Sequence, residues 1–86
     1  MPEISRFFGI VIQMYPKEHL PPHFHASYGD SRVVVGITPV ALLRGRLSPR
    51  VLALIVEWAT LHQAELLANW ERLGQHQAPR RIPPLE

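Results

Sequence analysis

The sequence has no cysteine, which excludes disulfides, thiolate metal sites and a thiol nucleophile. Small secreted domains lean on such cross-links, so their absence favours the cytosol. Lysine is nearly missing too: Lys17 stands alone among nine basic residues, and the rest are arginine. No run of like charge occurs, and Arg80-Arg81 is the one adjacent basic pair. No apolar stretch approaches the roughly 18 residues of a membrane span, and the opening Met1-Pro2-Glu3-Ile4-Ser5-Arg6 has no signal-peptide run. A cytoplasmic protein without membrane contact is expected. A glycine-rich phosphate loop, a Ser-His-Asp set and a Gly-x-Ser-x-Gly turn are all absent. The chain shows no internal repeat and no low-complexity segment.

What remains is enough for one domain. Eighty-six residues leave no room for two, and a chain this short buries only about 60% of its unfolded surface. The 47% hydrophobic fraction is ample for a core. A pI near 9.7 is basic, yet the net charge is only +2. Such a balance permits RNA or DNA contact without arguing for it. Arginine-rich surfaces suit bidentate pairing with carboxylate or phosphate.

Hydrophobic alternation predicts the elements. Ile4 to Tyr15 reads as one strand, with Ile10, Ile12 and Met14 on one face and Val11, Gln13 and Tyr15 on the other. Pro16 to Pro22 is a stiff loop, because adjacent prolines cannot sit inside a paired strand. His23 to Tyr28 resumes as a strand, Gly29-Asp30-Ser31 has hairpin chemistry, and Arg32 to Ile37 returns. Val40 to Arg44 is a fourth strand closed by Gly45. Ser48-Pro49 marks a helix start, and the helix runs to Leu73 with a stop at Gly74. The predicted fold is α+β, a four-stranded antiparallel β-meander followed by one long C-terminal helix. The sheet spans about 4–46, the helix about 48–73, and an extended tail 74–86.

Histidines carry the chemistry. His23 and His25 lie two apart on a strand and therefore point the same way, with Phe24 facing opposite. Two imidazoles at that spacing can converge on a metal such as zinc or on an anion, and His19 in the preceding loop can supply a third nitrogen. No Asp or Glu completes a familiar ligand spacing. The same pair can instead act as general base and acid near neutral pH, with Arg44 or Arg46 stabilising phosphate charge. A third reading has the histidines simply bonding the loop or a partner.

His62 lies within the helix's apolar arc of Val51, Ile55, Trp58, Leu66, Trp70 and Leu73, with Asn69 two turns on and Glu65 at the edge. Either His62 bonds a strand carbonyl, or it reaches the His23/His25 face. One helix covers one sheet face, and aromatic Phe24 and Tyr28 suit the apolar arc better than two desolvated histidines. The helix is therefore expected on the Phe24 side, away from His23 and His25. Trp58 and Trp70 are expected as core anchors, and Ser48 as a cap rather than a nucleophile.

Several segments together suggest a family: Pro2-x-Ile4-x-Arg6-Phe7-x-Gly9-Ile10, Met14-Tyr15, His19-x-x-Pro22-His23-Phe24-His25 and Tyr28-Gly29, then Glu57-Trp58-Ala59, Leu61-His62, Glu65-Leu66, Asn69-Trp70 and Ile82-x-Pro84-Leu85. The chain resembles domain-of-unknown-function family 4160 over nearly its whole length. The resemblance implies a small bacterial protein encoded beside a second small protein, in an arrangement like toxin–antitoxin operons. It gives weight to His19, His23, His25 and His62 as family positions and supplies no catalytic role. Glu18 stands where many members carry aspartate before the histidine. The expected function is a protein-binding module, one member of such a pair, with the neighbouring gene's product as partner. A homodimer covering the second sheet face is an alternative partner state. A toxin-like ribonuclease or other phosphoryl-transfer enzyme is the second expectation, and a metal-binding protein the third.

Overall fold

The computed structural model describes residues 3–86. Pro2, part of the opening motif, lies outside the described residues. Phe8 and Gly9 both take positive φ, 50° and 79°, which is the backbone of a two-residue hairpin loop. Phe7 and Ile10 consequently face each other across β1 (Glu3–Phe7) and β2 (Ile10–Gln13). The stretch expected as a single strand is thus a hairpin. Its turn is masked in sequence by the apolar run Phe7-Phe8-Gly9-Ile10, where Phe8 points to solvent.

Three further strands follow: β3 (His23–Tyr28), β4 (Ser31–Ile37) and β5 (Val40–Arg44). Gly29, at φ 58°, opens the β3–β4 turn, and Thr38-Pro39 joins β4 to β5. Among the described residues the sheet has five strands rather than four, all antiparallel, in the order β1-β2-β3-β4-β5. Its meander topology is as the sequence predicts.

The helical part divides into α1 (Pro49–Leu61) and α2 (Gln63–Gly74), bent by 80° at His62. The Ser48 hydroxyl accepts from the Val51 N–H and Pro49 opens the helix. A straight helix over the whole stretch would measure about 39 Å, more than the molecule's longest extent of 34 Å. The bend keeps both halves on the sheet. α1 lies across one face, and the Gln63 side chain, donating to the Ile37 carbonyl at 2.6 Å, fastens the start of α2 at the sheet's end. No single helix among the described residues is long and apolar enough to cross a membrane.

α1 covers the face that carries Ile12, Phe24, Ala26 and Val35, all buried. Trp58 is fully enclosed, its ring 5.3 Å from Phe7 and 5.8 Å from Phe24. Each large apolar side chain sealed in this way contributes about 1.5–3 kcal/mol by leaving water. The tail does more than cross the surface. Asn69, buried beneath it, donates to the Arg80 carbonyl and accepts from the Arg80 N–H, both at 2.8 Å. Ile82 inserts its side chain into the core, and its N–H donates to the Ile4 carbonyl on β1. Trp58 closes the strap by donating from Nε1 to the Pro83 carbonyl.

Candidate metal centre

β3 begins immediately after the proline loop, so the loop delivers side chains onto the first residues of the strand. His23 and His25 stand on the sheet face opposite α1, as two-residue alternation requires. Their ring centroids are 5.4 Å apart. His23 is almost fully buried: Trp70, reaching round the sheet's end from α2, sits 5.1 Å from its ring. His25 is half-buried, with Tyr15 edge-on at 4.8 Å.

The carboxylate of Glu18 meets both rings. Its Oε1 lies 3.2 Å from His23 Nε2 and hydrogen-bonds His25 Nε2. One imidazole nitrogen from each histidine and one carboxylate oxygen converge within 4.8 Å of one another. The third donor is therefore Glu18, and not His19 as the loop position suggests. His19 stays nearby, its ring 6.4 Å from His23, and lines the same cleft. The sequence shows no regular ligand spacing because Glu18 comes from a loop, where neither strand nor helix period applies.

The hydrogen bonding fixes one tautomer. His23 Nδ1 lies 2.8 Å from the Pro21 carbonyl, and a carbonyl only accepts, so Nδ1 carries the proton. In neutral His23 the Nε2 lone pair then faces the Glu18 oxygen. That lone pair and the carboxylate oxygen oppose each other, whereas His25 Nε2 can donate to the same oxygen, and a cation placed among the three atoms would satisfy all of them. A backbone carbonyl orienting the far nitrogen is also the usual support of a metal-ligating histidine. Burial pushes the Glu18 carboxyl up, but the hydrogen bonds and charges of His25 and then His23 outweigh it and hold it below the usual range. The carboxylate is thus ionised and available as a ligand. The same Glu18–His25 contact is also the geometry of a carboxylate-oriented general base.

The remaining candidate residues separate. Arg44 lines the cleft beside the histidines, whereas Arg46, past the end of β5, does not. His62 neither bonds a strand carbonyl nor meets His23. It caps the break between the helices, contacts Trp58 at 5.6 Å, and bonds the Glu65 carboxylate through Nδ1 at 2.5 Å. Asn69 holds the tail, and Trp70 is half-buried, packing against the edge of the core and on His23. A larger cleft of about 410 Å³ between α2 and the tail is the place where Asn69 and Arg72 already bind tail carbonyls.

Comparison with known proteins matches residues 9–71 to the family model described as Domain of unknown function (DUF4160). No curated protein and no solved structure matches the chain.

Proposed function

Because the chain belongs to the DUF4160 family, whose description carries no activity, we propose a function from the site itself: the domain binds one divalent transition metal through Glu18, His23 and His25. The convergence of their three donor atoms within 4.8 Å supports this. Two imidazoles and a carboxylate suit zinc or a neighbouring first-row ion. Three protein ligands leave a tetrahedral ion one position short, the pattern of metal sites that bind a ligand or activate water rather than staple a fold. The position left over would face the cleft lined by His19, Val34 and Arg44.

Elemental analysis and zinc titration of the purified protein test this. One zinc per chain is expected, with affinity lowered at least roughly 100-fold in Glu18→Gln and His25→Ala, since each loses a direct ligand. Both are only partly buried, so the variants should fold. Zinc uptake equal to wild type in both variants would overturn the proposal.

A second reading rests on the sheet edges. The tail occupies part of the β1 edge through Ile82 and Arg81, while β5 ends the sheet with Leu42 and Leu43 exposed and Arg44 and Arg46 following. Free edges with apolar side chains pair readily with added strands. The occupant that fits is an apolar strand with acidic flanks, supplied by the protein encoded in the neighbouring gene. Co-expression and size-exclusion chromatography should give one complex, dispersed by Leu42→Lys. Separate elution of the two wild-type proteins at micromolar concentration would sink this reading.

A further inference from the structure

The cleft beside the candidate metal ligands has a second wall, and a backbone irregularity creates it. Val34 pairs with Arg44 and Val35 with Leu42, so Leu43 is an extra residue in β5. Regular alternation would put Leu43 and Arg44 on opposite faces of the sheet. The bulge turns both to the histidine side, where they line one cleft with His25 and Val34. Gly45 makes this possible: at φ 93° it lies so close to β4 that an added Cβ would stand 2.4 Å from the Arg32 carbonyl oxygen.

His25, Val34 and Arg44 form a row across three strands. With strands about 4.8 Å apart, the outer two Cα atoms stand about 10 Å from each other. Val34, between them, is the floor. The cleft encloses about 340 Å³, at the lower end of small-ligand sites. Among the described residues Arg44 has no carboxylate partner, so its guanidinium is free to meet an anion arriving from solvent.

We infer that this cleft takes the phosphate group of a phosphate monoester, with one oxygen on the metal held by Glu18, His23 and His25 and two on the Arg44 guanidinium. The inference rests on the metal reading above. Counting oxygens selects the class. A bidentate arginine uses two and the metal a third. A monoester phosphate has three terminal oxygens, whereas a carboxylate has two and a diester has two. Val34 and Leu43 offer the ester group an apolar surface, and His19 stands at the opposite rim.

The test uses the full chain loaded with zinc and titrated calorimetrically with phenyl phosphate, inorganic phosphate and acetate. Both phosphates should bind, and acetate should bind at least roughly tenfold more weakly. Arg44→Ala should weaken phosphate binding at least roughly tenfold, the loss of one charge-assisted bidentate contact, with zinc stoichiometry unchanged. Arg46→Ala, outside the cleft, should bind like wild type. Phosphate binding untouched by Arg44→Ala, acetate equal to phosphate, or zinc-loaded protein indifferent to phosphate would each overturn the inference while leaving the metal site standing. A protein that takes up no zinc removes both.

Discussion

Asn69 is a polar residue at a buried position of α2, and both ends of its amide are used on the backbone of Arg80. Removing it takes both hydrogen bonds from the Arg80 backbone, so Asn69→Ala should destabilise the domain by about 1–3 kcal/mol, about 0.5–1.5 kcal/mol for each bond. His62→Ala removes a contact to the exposed Glu65 and should lose no more than about 1 kcal/mol. Urea unfolding of the two variants checks the order, and equal losses would contradict it. Both residues stand out in the sequence as polar interruptions of an apolar arc, but their partners do not. Asn69 bonds a tail eleven positions on, which no helical period predicts. Glu18 was hidden in the same way. Strand alternation reads His23 and His25 correctly as neighbours on one face. It says nothing of a carboxylate carried over them by Leu20, Pro21 and Pro22.

At the scale of elements, the meander, its turns and the helix start were legible because each has local chemistry: Gly29 in a tight turn, Ser48 accepting from the first helical turn. Three features were not. The β1–β2 hairpin hides in a run of apolar residues, and only the Phe8-Gly9 pair hints at it. The helix bend has no proline or glycine to announce it. The bend falls at His62, whose backbone leaves the helical region at φ −116° and ψ 26°, and Gln63 secures the turned half at Ile37. The β5 bulge leaves Val40 to Arg44 looking like ordinary alternation, and Gly45 is its one trace. Two of the three contribute to the candidate site or its support. The bend brings Trp70 against His23, and the bulge turns Arg44 toward the cleft.

At the scale of the whole molecule, the chain's last residues finish what its first residues begin. Ile82 fills the core next to Ile4, and Arg81 reaches the Glu3 backbone and carboxylate at 3.2 Å each. Arg6 binds the same carboxylate at 2.7 Å. Hydrogen bonds from Arg6 first and Arg81 second lower the Glu3 pKa from 4.5 to about 2. A carboxyl depressed on folding stabilises the fold fully above its unfolded pKa, and that contribution disappears as pH falls through the folded value. The window for Glu3 is therefore pH 4.5 down to 2. Glu18 is depressed as well, so acid sensitivity of the wild type alone would not isolate the strap. Comparison with Glu3→Gln does, because the amide cannot titrate. The urea midpoint of wild type should exceed that of the variant at pH 6, and the gap should close as pH drops across the window. A gap that is absent at pH 6, or one that persists unchanged to pH 2, would mean that the ion cluster joining β1 to the tail contributes nothing to holding the strap closed. Ile82, Trp58 and Asn69 would then account for it alone.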